Sequence, residues 1–262
     1  MRRSDALFYF KMGAELTKLT KRAFQVRKSF LFTLRRFFEG LLDFVYPPTC
    51  LLCGERLETK EPFCSTCLEK SLDSLALVSQ KGRKDFPHLR GEVFFDEIVS
   101  CWDYTSDVEE IIHRIKYQRG KKLGLFMGQT AGEALRGHFR RWKDGLFVPV
   151  PLHKVRKRER GFNQSEILCR GLSEYISFRV CPDLLVRHRN TATQTKLDAQ
   201  GRQENVKDAF EVHHSDLVVG KRVVLVDDVV TTGATMNSCA KSLKNAGAKE
   251  VVGVALARPK LG

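Results

Sequence analysis

The chain has 262 residues, 42% of them hydrophobic, and carries a formal net charge of +14 at pH 7. Such a length supports one α/β core plus a small accessory module, and such a charge calls for polyanionic partners: nucleic acid, anionic lipid or polyphosphate. No run approaches the roughly 18 apolar residues a membrane helix needs. Lys11 and Glu15 break up the apolar residues after Arg2 and Arg3, so neither a transmembrane span nor a secretory signal is expected and a cytoplasmic location is.

Residues 1–45 read as a basic, partly helical N-terminal extension. Ten Lys/Arg stand against three Asp/Glu in residues 1–40, a net of +7 and half the total charge. Within it, Phe30, Leu34, Phe37, Phe38, Leu41, Phe44 and Val45 recur at helical spacing over 28–45, with Lys28, Arg35 and Arg36 on the other side. Tyr46-Pro47-Pro48 ends that helix.

Residues 46–92 read as a four-cysteine module and a polar linker. The spacing Cys50-x2-Cys53-x10-Cys64-x2-Cys67 fits a tetrahedral structural Zn2+ held by four thiolates. Gly54, directly after Cys53, suits the tight turn of a zinc knuckle. With four thiolates bound no coordination position stays open, so the metal holds the module together and performs no chemistry. A pair of disulfides is the competing reading; it needs an oxidising compartment, which nothing else in the sequence supports. Cys101, Cys169, Cys181 and Cys239 are scattered and read as small core residues. Residues 71–92, with Gly82, Pro87 and Gly91, form the linker.

From residue 93 an α/β body begins. Strands are expected at 93–102, 146–150, 209–212, 222–226 and 250–257, and helices at 107–117, 122–140, 163–175 and 236–246. Alternation over about 170 residues implies a largely parallel sheet with helices on its faces. Three basic connections punctuate it. The first is the turn Ile115 to Lys122, which contains Lys116. The second comes after the strand at Pro149 and carries five Lys/Arg and one Glu between His153 and Arg160, with Asn163 placed to cap the next helix. The third is a polar stretch of about 20 residues, 187–206, that includes Arg202 and has the length of a lid.

The segment richest in chemistry is Val223-Val224-Leu225-Val226-Asp227-Asp228-Val229-Val230-Thr231-Thr232-Gly233-Ala234-Thr235. It reads as a buried parallel strand, a carboxylate pair at the strand's end, an anion-binding loop and a helix N-terminus. Gly233 lets the backbone take a positive φ or approach a phosphate, and the loop amides form a concave nest. Asp227 and Asp228 can accept hydrogen bonds from vicinal hydroxyls or meet a hydrated Mg2+. Phosphate donors beside carboxylate acceptors match one end of a phosphoribosyl group. A P-loop NTPase is excluded, because no G-x-x-x-x-G-K-[ST] run is present and Gly220-Lys221 is followed by Arg222.

This segment resembles the phosphoribosyl diphosphate signature of type I phosphoribosyltransferases. The resemblance gives Thr231, Thr232, Gly233, Ala234 and Thr235 the 5-phosphate, and Asp227 and Asp228 the ribose hydroxyls. Together with the knuckles, the Lys-Tyr turn, the Pro149-Val150-Pro151-Leu152 to Arg160-Gly161-Phe162-Asn163-Gln164 loop and the lid, it is similar to the ComF/ComFC family over residues 41–262. The resemblance implies a type I phosphoribosyltransferase-like domain over 93–262 and a diphosphate held by the turn after Pro149–Leu152 through Arg160; Arg202 and Lys116, on the other two basic connections, are further candidates for it. It also implies Mg2+ arriving with the substrate, and a role in natural competence beside a helicase-like partner. Two functions accord with it: transfer of a phosphoribosyl group, and non-catalytic binding of single-stranded DNA on a phosphoribosyltransferase scaffold. No motif names an acceptor.

Overall fold

The computed structural model describes residues 47–59, 61–73, 75–89, 91–117, 120–188 and 209–259. The N-terminal extension, its helix at 28–45, and the lid from residue 189 through Arg202 to 206 lie outside the described residues. The chain divides into two compact units, Met1–Cys50 with Gly54–Glu61, and Leu51–Cys53 with Pro62–Gly262. Among the described residues no helix is long and apolar enough to cross a membrane.

In the first unit the described residues form a tight knuckle. Thr49 bridges Arg56, Cys50 N donates to Glu55 O, and Gly54 takes a left-handed φ of 77° as it donates to Cys50 O.

The second unit starts with helix α1 (Ser65–Asp73) and holds a six-stranded sheet. Its strands are β1 (Leu75–Gln80), β2 (Glu97–Asp103), β3 (Leu146–Pro149), β4 (Arg179–Val180), β7 (Arg222–Val229) and β8 (Glu250–Arg258), in the order β1-β2-β8-β7-β3-β4. Only the β1–β2 pair is antiparallel. Strands β5 (Leu185–Arg187) and β6 (Phe210–Val212) form a separate antiparallel pair. Helices α2 (Ser106–Tyr117), α3 (Lys121–Leu135), α4 (Lys154–Arg160), α5 (Gln164–Tyr175) and α6 (Ala234–Asn245) complete the unit.

The central strands are unbroken apolar runs because both their faces are covered. Val223, Val224, Leu225 and Val226 of β7 are buried, as are Val251, Val252, Val254 and Ala255 of β8. The strand expected at 93–102 begins instead at Glu97, and residues 93–96 run outside the ladder. The expected linker contains β1, an edge strand with only Gln80 buried, whose short apolar run Leu75–Val78 stands between polar residues. The helix expected over 122–140 ends at Leu135.

The basic run after β3 is a helix, not a loop. Lys, Arg and Glu are strong helix formers. His153 caps α4 by accepting from Val155 N, and Gly161 ends it at a left-handed φ of 75°. From β3 the chain leaves through α4 and α5 to β4, on one side of the sheet order. From β7 it leaves through α6 to β8, on the other. The β3–β7 pair is therefore the switch point, where open α/β sheets place ligands outside the strands' carboxyl ends.

Candidate functional site

Asp227 and Asp228 lie inside β7, whose ladder continues past the expected end at Val226: Asp227 pairs with Ala255 and Val229 with Ala257. Successive strand side chains point to opposite faces, so the two carboxylates meet different helices. Asp227 Oδ1 accepts from Ser165 Oγ at 3.0 Å, near the start of α5, and from Asp228 N at 2.9 Å. Asp228 Oδ1 accepts from Val229 N at 2.8 Å, and its Oδ2 lies 2.8 Å from Lys116 Nζ at the end of α2.

Burial, and next the neighbouring Asp228 charge, push the Asp227 carboxyl up to about 7. The Asp228 amide, Lys116 and Ser165 pull the other way without cancelling that effect. Burial first, and the charge of Glu109 next, raise the Tyr104 phenol; the Asp228 charge adds to the rise. Tyr104 thus belongs to the same electrostatic neighbourhood. Cys169 and Cys239, fully buried, are held well above the thiol range by burial, with the Asp227 charge contributing to both. They are core residues, as the sequence implies.

After Val230 the chain turns through Thr231, Thr232 and Gly233 into α6. Gly233 is the N-cap, with φ 74°. Thr232 Oγ1 accepts from Ala234 N, and Gly233 O accepts from Asn237 N. The first amides of a helix lack intrahelical partners and carry a partial positive charge, and Thr231, Thr232, Gly233, Ala234 and Thr235 stand at that start of α6. A Cβ on Gly233 would stand 2.9 Å from the Phe86 ring. Phe86 is buried and packs edge-to-face on Phe95 at 5.2 Å. Asn237, buried on α6, binds the same segment: its Oδ1 accepts from Phe94 N and its Nδ2 donates to Glu92 O.

On the β3 side, Asn163 caps α5, accepting from Ser165 N while its Nδ2 donates to Val150 O at 3.1 Å. One capping residue thus fixes both the loop after β3 and the serine that holds Asp227. Arg160 donates to Gln164 Oε1 at 2.9 Å and lies 5.2 Å from the Tyr117 ring centroid. Arg160 Nη2 also lies 3.5 Å from Tyr117 Oη. Lys116, a candidate for the diphosphate, is here the partner of Asp228. Lys121 stands 5.5 Å over the Phe162 ring.

Ser165, Tyr104, Asn237 and Phe86 were not foreseen in the sequence. For Ser165 a signal existed, two residues after the capping Asn163. For Phe86 there was none, since only the fold brings it to Gly233.

In the metal module, the Sγ atoms of Cys50, Cys53, Cys64 and Cys67 lie within 4.8 Å of one another. Cys53 Sγ and Cys64 Sγ are 3.7 Å apart, and Cys64 Sγ accepts from Cys67 N. That separation is far from the roughly 2.05 Å of a disulfide. It is close to the ~3.8 Å between two ligands of one tetrahedral Zn2+ with bonds of about 2.3 Å. The thiolates fit a structural zinc.

Comparison with known proteins places this geometry in a class. A phosphoribosyl transferase domain model matches residues 150–260, and a double zinc ribbon domain model matches residues 41–75. The chain is 33% identical over 208 residues to the DNA utilization protein YhgH of Escherichia coli O6:H1, covering 77% of this chain and 86% of that one. It is 29% identical over 216 residues to competence protein F of Haemophilus influenzae, covering 80% and 85%. The chain belongs to the ComF/ComFC family. Among solved structures, a glutamine phosphoribosylpyrophosphate amidotransferase from B. subtilis is similar with a TM-score of 0.35 and 22% identity, covering 50% of this chain and 26% of that enzyme.

Proposed function

We propose that the chain binds phosphoribosyl diphosphate with Mg2+ outside the carboxyl ends of β3 and β7, as a phosphoribosyltransferase-like protein linked to DNA uptake. The observation that carries the reading is the Gly233 helix N-terminus directly after an acidic strand at the switch point of the sheet. The turn from Thr231 to Thr235 takes the 5-phosphate through backbone amides and hydroxyls. Asp227 and Asp228 orient the ribose hydroxyls and ease positive charge on the sugar ring as the diphosphate leaves. Arg160, Arg202 and Lys116 meet the diphosphate, where fixed positive charge is most effective.

The residues present fit Mg2+. Asp228 already holds a cationic group at 2.8 Å, and carboxylate oxygens are the hard ligands this ion prefers. When bound, the ion would neutralise charge on the departing diphosphate, with Asp227 and Asp228 as the carboxylates that would hold it. The names of the relatives, competence protein F and DNA utilization protein YhgH, support the link to DNA uptake.

Phosphoribosyl diphosphate with Mg2+ is expected to raise the melting temperature by several degrees, by ligand linkage. Asp227→Asn and Asp228→Asn remove that rise. An undiminished rise in either variant refutes the assigned site. Release of diphosphate on screening acceptors then tests for transfer.

A second reading rests on two cation–ring pairs. Two aromatic rings, Tyr117 and Phe162, each lie under a cation, Arg160 and Lys121. Cations beside ring faces suit single-stranded DNA, whose phosphates and bases they can track together. Titration of single-stranded DNA at two salt concentrations tests it. Binding that falls steeply with salt is expected, and no binding at low salt eliminates the reading.

A further inference from the structure

Outside the sheet, the β5–β6 hairpin carries a second set of metal-ligand side chains. His188 comes directly after β5, Glu211 lies in β6 and His213 directly after it; their ligand atoms all lie within 4.8 Å of one another. The register explains the grouping. Val186 opposes Glu211, and the ladder is extended at one end by His188 N donating to Ala209 O and at the other by His213 N donating to Leu184 O. His188, Glu211 and His213 therefore share one face of the hairpin. His188 Nε2 stands 2.5 Å from Glu211 Oε2, and the two imidazole rings are 6.3 Å apart. All three side chains are exposed.

We infer that this face binds a borderline divalent transition metal such as Zn2+, separate from the four-thiolate site, through His188, Glu211 and His213. Two imidazoles and one carboxylate suit that class of ion. Three protein ligands leave one position open for water. Bonds of about 2.0–2.2 Å to each ligand set the ligand atoms roughly 3.4 Å apart, so the His188–Glu211 pair opens and His213 closes in by about 1 Å each, which rotamer adjustment of exposed side chains supplies. The site has a structural consequence. Among the described residues β5 and β6 pair only with each other, and Leu185 and Phe210 in the core and Ser242 Oγ of α6, donating to Phe210 O, hold the pair to the body. A metal held by His188 from one strand and by Glu211 and His213 from the other cross-links them.

The test uses the full chain with one equivalent of zinc already in the cysteine module, titrated calorimetrically with ZnCl2. A second equivalent is expected. His213→Ala and Glu211→Gln each weaken it by at least about 10–100-fold, the loss typical of far milder changes around a metal. The first equivalent and the melting temperature before titration stay unchanged, as surface substitutions allow. Asp227→Asn, the control for the carboxylates of the sheet, retains the second equivalent. Titration with Co2+ adds a spectroscopic reading: the second ion gives ligand-field bands without thiolate-to-metal charge transfer. One equivalent in total, a second equivalent indifferent to His213→Ala and Glu211→Gln, or charge-transfer absorption from the second ion overturns the inference.

Discussion

The cysteine module and the carboxylate site both gather ligand-like groups, but by opposite means. Around Cys50 and Cys53 the backbone is short turns and one bridge, Cys64 and Cys67 stand at the start of α1, and the metal supplies the cohesion that a small core cannot. Around Asp227 and Asp228 the core supplies everything. Ser165, Lys116 and two strand amides hold the carboxylates before any ligand arrives. One site is made by its metal; the other is ready for its ligand. Removing metal should therefore unfold the first and leave the second standing.

That contrast is open to its hardest test by chelation. Zinc contributes on the order of 10–16 kcal/mol of apparent binding energy in zinc-finger peptides, so this is the largest effect expected. Zinc removal, or Cys53→Ser, should expose residues 50–67 to limited proteolysis. Helical and strand circular dichroism from the sheet should persist. Loss of the whole fold together with the zinc contradicts the distinction.

A smaller effect is expected from Gly233→Ala. The left-handed φ costs an L-residue, and the new methyl would meet the Phe86 ring at 2.9 Å. Phe86 packs on Phe95 and is not free to retreat. A cost on the order of 1–3 kcal/mol is expected from backbone strain of this kind, and denaturant unfolding reads it. The melting rise with phosphoribosyl diphosphate should vanish as well. A stable variant with an intact rise would mean the turn is less fixed than its packing implies.

The same two regions differ in how legible they were in the sequence. Strands β7 and β8 were readable because both faces are buried, which leaves an unbroken apolar run. Strand β1 was not, because an edge strand with exposed residues looks like a linker. Helix α4 was hidden by its charge: seven residues rich in Lys and Arg suggest a loop until His153 and Gly161 are seen as its caps. The four cysteines were legible because a metal site constrains spacing locally, and the Asp-Asp-Val-Val-Thr-Thr-Gly segment stood out because a carboxylate pair, a glycine turn and a helix start follow one another in the chain. The role of Lys116 was not, since its place against Asp228 depends on how α2 crosses the strand ends. Ser165 likewise reaches Asp227 from 62 positions away.

The smallest effect expected concerns the readiness of the carboxylate site. Asp227 is held up to about 7, chiefly by burial, whereas an unfolded aspartate titrates near 3.9. Between those values the folded state binds more protons than the unfolded one, so stability falls as pH rises from about 4 to about 7 and levels off above. Asp227→Asn has no such group and should lose this slope, gaining on the native protein above pH 7. In a chain of this size each kcal/mol moves the melting temperature by about 2–4 °C, so melting curves at pH 5 and pH 8 resolve the difference. Ser165→Ala takes away a hydrogen bond that favours the ionised form, worth about 0.5–1.5 kcal/mol. It should move the end of the slope to higher pH while leaving the slope itself. The proposed ligand would add the opposite sign: ribose hydroxyls and Mg2+ would need Asp227 ionised, so binding should strengthen through the pH range in which the unliganded protein weakens. A native protein whose stability is flat between pH 5 and 8 would show that Asp227 is already ionised in the folded state, and the preformed site would then carry its full negative charge without a ligand.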